Sequence, residues 1–280
     1  METASIPERT GRYRWAIIAL LFFATTVNYI DRTMLGLLAP TLQTELNWNE
    51  DDYGNIVTAF QAAYALGFLF MGYVIDRFGP KIGYSIAITI WTVGHVAHGF
   101  GGSVASFMAA RAVLGIGEAG HFPAVVRASS EWFPQKERAY AIGWVNSGTT
   151  IGVILTAPTL WLFMQAFGFG WRETFIYSGL FGVVLLGLWL WLYSNPRESG
   201  KVSEGELTWI EHDPPEKIEK IGWSRIVRKR EAWAFATAKF LTDPVWFLML
   251  FWLPKYFSTT YDVDLKIVLL PMILMYLLSD

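Results

Sequence analysis

The chain reads GYVIDRFGPK at residues 72–81, between two long stretches that lack any charged residue. The first stretch covers 53–75 and the second covers 82–110, and neither contains Asp, Glu, Lys or Arg. A helix needs about 20 mostly apolar residues to cross the hydrocarbon core of a bilayer. This part of the sequence therefore predicts two membrane-spanning helices joined by a short charged loop.

The overall composition supports the same class of protein. Hydrophobic residues make up 53% of the chain and charged residues only 16%, whereas soluble domains carry about 25% charged residues. The net charge is -2, so there is no strong basic field that would favour a nucleic-acid partner. The absence of Cys excludes disulfides, thiol catalysis and Cys-ligated metal sites. The composition is typical of a polytopic membrane protein embedded in a lipid bilayer.

The same criterion predicts six helices in the first part of the chain, at 15–38, 53–75, 82–100, 103–126, 138–163 and 171–193. A charged, water-exposed linker follows, with a short amphipathic helix at about 204–211. A seventh span is predicted at about 235–258, and an eighth begins near Lys266 and reaches the last residue. The predicted division is a cytoplasmic N-terminus at 1–14, an N-terminal six-helix bundle at 15–193, a cytoplasmic linker at 194–234, and the first two helices of an incomplete C-terminal bundle at 235–280.

The distribution of Lys and Arg predicts the orientation. With the N-terminus inside, most of the 22 Lys and Arg residues lie in inside-facing segments, which is the pattern that cytoplasmic loops show. No small-residue cleavage site follows the first apolar stretch, so we expect that helix to be retained. The sequence predicts a multi-pass protein with a cytoplasmic N-terminus.

The loop at 72–81 resembles the G-x-x-x-D-R-x-G-x-K/R signature of the major facilitator superfamily, on the expected inner side of the membrane. The matching residues are Gly72, Asp76, Arg77, Gly79 and Lys81. Gly72 is expected to let two helices approach closely, and Gly79 to permit a tight turn. Asp76 can cap a helix N-terminus and pair with a cation such as Arg138. The resemblance makes this loop a gating and assembly element; the alternative is an ordinary short basic loop.

Other segments resemble the anion:cation symporter family within that superfamily, and most of all its bacterial hexuronate and sugar-acid transporters. They are Asn28-Tyr29-Ile30-Asp31-Arg32, residues 111–119, Trp132-Phe133-Pro134, Asn146-Ser147-Gly148 and Trp252-Leu253-Pro254. The resemblance implies an all-helical membrane fold of two six-helix halves with the binding site between them. It also implies a location in the cell inner membrane. The chain carries one half, the linker and the start of the second half, so the missing C-terminal half is an expected partner.

Arg32 is the predicted anchor for a substrate carboxylate. A charged residue inside a membrane helix costs at least about 2.5–3.5 kcal/mol on insertion scales, so it usually faces a cavity and has a function. Arg32 shares one helix stripe with Tyr29, and a guanidinium can bind a carboxylate through two parallel hydrogen bonds. The resemblance implies that the matching arginine binds the carboxylate of the substrate. The alternative is an internal ion pair with Asp31 or Glu118.

Asp31 and Glu118 are the predicted proton carriers. Burial favours the neutral form of a carboxyl group, whereas a nearby arginine favours its charged form, so a balanced group can load a proton on one side and release it on the other. Arg111 lies seven residues before Glu118 and shares its helix face. It is predicted to take part in coupling, with a structural role equally open, and for Asp31 the alternative is a structural contact with a neighbouring helix.

Softer candidates for substrate contacts are spread over three helices. Tyr64 matches a cavity tyrosine of the family, although a packing role is equally consistent. Asn146 and Thr149 could hydrogen-bond sugar hydroxyls or simply pack between helices. Trp246 could stack on a sugar ring or anchor the helix at the interface.

Three histidines, His95, His98 and His121, are interpreted mainly as structural residues. His121 lies one turn past Glu118 and could modulate its protonation, but a satisfied structural histidine is the preferred interpretation. His95 and His98 are expected near the outer interface, also in a structural role.

No motif indicates an enzyme or a cofactor. The sequence has no Walker lysine motif, no HExxH or EF-hand spacing and no nucleophile elbow. The leading prediction is proton-coupled symport of a sugar-acid monoanion, such as the hexuronates glucuronate and galacturonate, by alternating access. The alternatives are another organic anion (galactonate, glucarate or an aromatic acid) and a truncated fragment that does not transport.

Overall fold

A computed structural model describes residues 11–213 and 223–261. Within these ranges every regular element is helical and no strand occurs. The α-helices are α1 (Tyr13–Leu46), α2 (Glu50–Ala97), α3 (Val104–Glu118), α4 (His121–Trp132), α5 (Gln135–Trp161), α6 (Trp171–Ser178), α7 (Leu180–Leu192), α8 (Glu204–Ile210), α9 (Trp223–Ile226) and α10 (Arg230–Tyr261). The predicted all-α fold class is therefore confirmed.

Within the described residues, four helical stretches are long and apolar enough to cross a bilayer. They are Tyr13–Leu46, Glu50–Phe100, Gln135–Ala166 and Trp171–Leu192. The second stretch contains two of the predicted spans and the fourth joins α6 to α7 across Gly179. Because several apolar helices each have this length, the chain is a multi-pass membrane protein.

Helix α2 reverses direction at Gly79. The backbone of Gly79 has φ 76 and ψ 164, a conformation that glycine adopts without steric cost. A Cβ atom on Gly83 would lie 2.8 Å from the Cα of Ile75, although eight residues of a straight helix span about 12 Å. The arms 50–78 and 80–97 therefore fold back against each other, and they correspond to the predicted second and third spans.

The predicted fourth span, 103–126, is divided in the structure. Helix α3 ends at Glu118 and α4 begins at His121, with a break at Ala119 and Gly120 that sequence periodicity did not predict. Gly117 and Gly94 allow α3 to approach the second arm of α2, because a Cβ on Gly94 would lie 2.5 Å from the backbone nitrogen of Leu114. This backbone-to-backbone packing determines where the charged residue at the end of α3 lies.

Helix α1 contributes to two apolar clusters, one along its N-terminal part and one along its C-terminal part. The first cluster includes Ile17, Leu21, Trp91, Trp132 and Trp189. The second cluster includes Leu35, Leu42, Trp48, Phe107 and Phe175. Between them, residues 25–33 of α1 place several buried polar side chains at one level of the protein. Polar groups are costly at such a depth unless they are paired, so this layer is the natural place to look for a site.

Helix α8 docks against the N-terminal end of α1. The carboxylate of Glu206 accepts hydrogen bonds from the backbone nitrogens of Tyr13 at 3.1 Å and Arg14 at 3.0 Å. The side chain of Arg14 binds both Glu206 and Glu137, at 3.2 Å each. A carboxylate at a helix N-terminus satisfies amide groups that have no partner within the helix.

Helix α10 starts earlier than the predicted seventh span, at Arg230, and ends at Tyr261. Its Trp252 packs edge-on against the ring of Tyr53, with ring centroids 5.3 Å apart. The predicted eighth span lies outside the described residues.

Candidate functional site

A buried ion pair between α1 and α3 forms the centre of the polar layer. Both Nε and Nη2 of Arg32 lie 2.8 Å from Oε2 of Glu118. Nη2 also lies 3.3 Å from the side-chain oxygen of Asn28, one turn earlier on α1. Arg32 is 2% exposed and Glu118 0%, so the pair is shielded from solvent. The internal ion pair that the sequence left open is present, and it does not exclude a substrate contact.

Three aromatic rings surround the Arg32 guanidinium. Its central carbon lies 4.8 Å from the ring centroids of Tyr29 and Tyr64 and 5.3 Å from that of Phe60. Cation–π contacts contribute about 0.5–2 kcal/mol each and offset part of the cost of desolvating the charge. Gly115 makes the cage possible, because a Cβ there would lie 2.7 Å from the backbone oxygen of Phe60. The sequence predicts both tyrosines but not Phe60, because its side chain has no polar group that would indicate a site.

Arg111 binds the backbone of α1 instead of an acid. Its two terminal nitrogens each lie 3.3 Å from the carbonyl oxygen of Arg32, and its guanidinium lies 5.5 Å from the ring centroid of Phe60. Its Nε has no hydrogen-bond partner among the described residues. The layer thus contains two buried arginines and two buried acids, Asp31 and Glu118, and it is electrically balanced only when both acids are ionised.

Asp31 contacts α2 through its carboxylate. Its Oδ1 lies 3.3 Å from Nδ1 of His95, and both side chains are buried. The other ring nitrogen of His95 lies 2.7 Å from the hydroxyl of Ser178 on α6. The sequence placed His95 near the outer interface without a partner, since its contact with Asp31 depends on how α2 packs against α1.

His121 joins three helices through both of its ring nitrogens. Nε2 lies 2.8 Å from the hydroxyl of Thr25, and Nδ1 lies 2.6 Å from the hydroxyl of Tyr84. Neither nitrogen contacts Glu118, although the two residues are one turn apart. This geometry favours the structural interpretation of His121.

The candidate residues on α5 lie apart from the ion pair. Asn146 is exposed, and the hydroxyl of Thr149 donates to the carbonyl of Asn146 at 2.8 Å. Thr156 of α5 does reach the polar layer, since its hydroxyl lies 2.6 Å from that of Thr33 on α1. A direct role for Asn146 and Thr149 stays a prediction. The side chain of Trp246, on α10, lies outside the described residues.

Comparison with known proteins identifies the family of the chain. The model of the Major Facilitator Superfamily matches residues 21–279. The chain belongs to this superfamily. The resemblance seen in the signature loop is therefore confirmed.

Relatives of the chain within the superfamily include named sugar-acid transporters. The hexuronate transporter of Escherichia coli (strain K12) is 34% identical over 259 residues, which are 90% of this chain and 59% of that protein. The galacturonate transporter of Dickeya chrysanthemi is 32% identical over 260 residues, 90% of this chain and 74% of that protein. A probable L-galactonate transporter of E. coli K12 is 31% identical over 265 residues, which are 92% of this chain and 57% of that protein. The chain thus spans less than two thirds of two of these relatives.

Solved superfamily structures share the fold. A bacterial homologue of the human lysosomal transporter Spinster, inward-facing and unoccupied, superposes with a TM-score of 0.73 at 21% identity, covering 93% of this chain and 58% of that chain. A partially occluded inward-open xylose transporter from E. coli gives a TM-score of 0.60 at 16% identity, with 95% and 70% covered. At these identities the likeness concerns the fold alone.

The superfamily's signature loop has the predicted turn but not all of the predicted contacts. A Cβ on Gly72 would meet no atom within 4 Å, so Gly72 makes no close helix contact in the part of the chain that the structure describes, and the expected contact stays a prediction. The close contact is made at Gly83 instead, because the helix that follows Gly79 folds back with Gly83 facing Ile75. Gly72 itself is only partly buried.

The charged residues of the loop lie at the surface. Asp76 is exposed, and within residues 11–213 and 223–261 it makes no ion pair with Arg138, whose guanidinium donates to backbone carbonyls of α4 and its C-terminal end. Arg77 donates to the hydroxyl of Tyr73 at 3.1 Å. The backbone oxygen of Lys81 accepts a hydrogen bond from the indole of Trp189 at 3.1 Å. The gating role of the loop stays a prediction.

Proposed function

We propose that this chain forms the anion- and proton-binding part of a symporter for a sugar-acid monoanion, a hexuronate such as glucuronate or galacturonate. The protein works by alternating access in the cell inner membrane, with its N-terminus in the cytoplasm. Residues 15–193 form the first bundle, 194–234 the linker, and 235–280 the start of a second bundle that supplies the opposite wall of the site.

The Arg32–Glu118 pair carries this proposal. Arg32 is fully charged under all physiological conditions, and its Nη1 makes no hydrogen bond among the described residues. When a substrate carboxylate replaces Glu118, the guanidinium of Arg32 can bind it through two parallel hydrogen bonds. The three surrounding rings keep the guanidinium in place during the exchange.

The same pair links anion binding to proton binding. When a substrate carboxylate takes Arg32, Glu118 loses its counter-ion while it is still buried, and an uncompensated buried charge is strongly disfavoured. Uptake of one proton by Glu118 removes that charge. One anion and one proton then enter together, and by thermodynamic linkage each increases the affinity for the other.

Asp31 provides a second proton site on the same layer. Its carboxylate lies 3.3 Å from His95 and makes no hydrogen bond or ion pair with Arg32 among the described residues, so it does not compete directly with the substrate. Arg111 holds α1 against α3 while the acids change charge. Asn146, Thr149 and Trp246 are proposed to contact the hydroxyl groups and the ring of the sugar acid.

The choice among sugar acids rests on the relatives. Those that are 31–34% identical include transporters named for hexuronate, galacturonate and L-galactonate. A probable galactarate/D-glucarate transporter of Bacillus subtilis (strain 168) is 34% identical over 205 residues. The second candidate is therefore an aldonate or aldarate, which offers the same carboxylate to Arg32.

Uptake into proteoliposomes tests the proposal. The protein expressed from its complete gene is reconstituted, and radiolabelled glucuronate is supplied with and without an inward proton gradient. We expect accumulation only with the gradient, and competition by galacturonate but not by neutral glucose. Preference for galactonate or glucarate in the competition series would support the second candidate, and uptake indifferent to every carboxylate would contradict the proposal.

A pair of arginine substitutions provides the matched control. Arg32→Lys retains the positive charge but loses the fork of parallel donors, so we expect it to abolish uptake. Arg127→Lys changes a half-exposed arginine that pairs with Glu131 one turn away, and we expect uptake close to that of the unaltered protein. Equal uptake by the two variants would refute the role of Arg32.

A further inference from the structure

His95 lies between two side chains from other helices, Asp31 and Ser178. It is fully buried on the second arm of α2, with Nδ1 3.3 Å from Asp31 on α1 and Nε2 2.7 Å from Ser178 on α6. Neither Nδ1 of His95 nor Oδ1 of Asp31 has a hydrogen-bond partner in the described part of the chain, and the two atoms lie 3.3 Å apart. An unsatisfied buried polar group costs about 1–3 kcal/mol, so each of these atoms is the natural partner of the other.

The hydroxyl of Ser178 can satisfy either neutral form of the imidazole. It lies 3.3 Å from the carbonyl oxygen of Phe175 on its own helix. When the hydroxyl donates to this carbonyl, it accepts from Nε2–H of His95, and the bare Nδ1 can accept from a protonated Asp31. When the hydroxyl donates to Nε2 instead, Nδ1–H can donate to an ionised Asp31. Each charge state of Asp31 therefore has a matching neutral tautomer of His95.

We propose that His95, oriented by Ser178, is the group that receives and returns the proton of Asp31; this inference rests on the proposed proton-coupled function. On release, the O–H bond of Asp31 breaks and an Nδ1–H bond forms, which gives a transient imidazolium. The Nε2 proton then passes to a water molecule, and the hydroxyl of Ser178 turns to donate to Nε2. Loading follows the reverse order, so one proton moves between water and Asp31.

The surrounding charges explain why the imidazolium is short-lived. Asp31 lies against His95 from α1. From α3, Arg111 acts electrostatically on both His95 and Asp31, and Glu118 acts on Asp31. His98 lies one turn further along α2, with ring centroids 6.4 Å apart, while α6 presents only the uncharged Ser178 and Phe175. The positive charge of Arg111 disfavours a second buried cation, so the histidine passes the proton on and does not store it.

Nitrogen-15 NMR of the imidazole rings tests the contact without any transport measurement. The protein expressed from its complete gene is labelled with [15N]histidine, and the signal of His95 is assigned by its loss in His95→Asn. We expect the Nε2–H tautomer at low pH and the Nδ1–H tautomer at high pH. We expect Asp31→Asn to abolish this change, since the amide does not titrate. A tautomer that does not respond to pH, or a response that persists in Asp31→Asn, would overturn the proposal.

A comparison of transport modes tests the role. The asparagine of His95→Asn can still hydrogen-bond to Asp31 but cannot pass a proton on. We expect glucuronate exchange close to that of the unaltered protein and a loss of gradient-driven accumulation of about a hundredfold, the low end for a positioned proton-transfer group. His98→Asn, a matched change in a buried histidine without contact to Asp31, is expected to retain both activities.

Two results would overturn the role of His95. Undiminished accumulation by His95→Asn would show that Asp31 exchanges its proton elsewhere, and an equal loss of exchange and accumulation would show a purely structural residue. If the unaltered protein showed no gradient-driven accumulation, the proposed function would fail, and the NMR measurement would still decide whether His95 follows the charge of Asp31.

Discussion

Both terminal nitrogens of Arg111 lie 3.3 Å from the backbone carbonyl oxygen of Arg32, so one buried arginine of the site holds the main chain of the other. This oxygen lies in the middle of α1, between the side chains that face Glu118 and His95. A backbone carbonyl does not titrate, so the contact persists whichever acid is protonated. Arg111 therefore fixes the distance between α1 and α3 while the charges around it change.

Replacing Arg111 by lysine should lower stability more than the same change at the surface. Lysine retains the charge but cannot direct two donors at one oxygen, and a hydrogen bond to a charged group contributes about 1.5–3 kcal/mol. We expect Arg111→Lys to lower the apparent melting temperature in detergent, measured by tryptophan fluorescence. Arg172→Lys is the control, since Arg172 also binds two backbone carbonyls but is only partly buried. Equal losses would contradict a special role for the buried contact.

Neutralising Glu118 should separate anion binding from proton binding. In the unaltered protein the protonated form of Glu118 frees Arg32 for the substrate, so we expect glucuronate affinity to rise as pH falls. Glu118→Gln resembles the protonated form at every pH. We expect the variant to lose this pH dependence and gradient-driven accumulation while it retains some exchange, measured by calorimetry and proteoliposome uptake. Normal proton-driven accumulation by Glu118→Gln would refute the coupling role.

The aromatic cage should matter through its rings and not through its hydroxyl groups. The ring of Tyr64 stacks against that of Phe60 and lies 4.8 Å from the Arg32 guanidinium. Losing one cation–π contact of about 0.5–2 kcal/mol corresponds to a two- to thirtyfold weaker binding of glucuronate. We expect this loss for Tyr64→Leu and near-normal affinity for Tyr64→Phe, measured by calorimetry. A larger loss for Tyr64→Phe would show that the hydroxyl contacts the substrate.

The sequence predicts those site residues whose side-chain charge alone distinguishes them from their neighbours. Arg32, Asp31, Arg111 and Glu118 stand out because charged residues are rare in membrane helices, and all four lie in one buried layer. The sequence offers Arg32 two acid partners, Asp31 and Glu118, and does not decide between them, and it does not predict the contact between Asp31 and His95. The pairing depends on rotations about helix axes that are determined by close contacts between distant segments.

Glycine contacts show the same limit. Gly72 belongs to a recognised motif and predicts a close approach of two helices, yet among the described residues a close approach occurs at Gly83, where no motif exists. The helix break at Gly120 likewise left no signal, because the apolar pattern runs through it. Glycine positions indicate that helices approach closely, but not which of them meet.

The contact between α3 and the second arm of α2 should control the position of His95. A Cβ on Gly117 would meet the backbone of Trp91, one turn from His95, and neither backbone can move without displacing its helix. We therefore expect Gly117→Ala to lower the apparent melting temperature and to abolish the pH response of the His95 ring signal in [15N]histidine spectra. Gly143→Ala is the matched change, since a Cβ there meets no atom within 4 Å and alanine stabilises a helix interior by about 0.5–1 kcal/mol. A Gly117→Ala protein as stable as Gly143→Ala, with His95 still following pH, would show that α2 adjusts and that the glycine contact does not position the proton site.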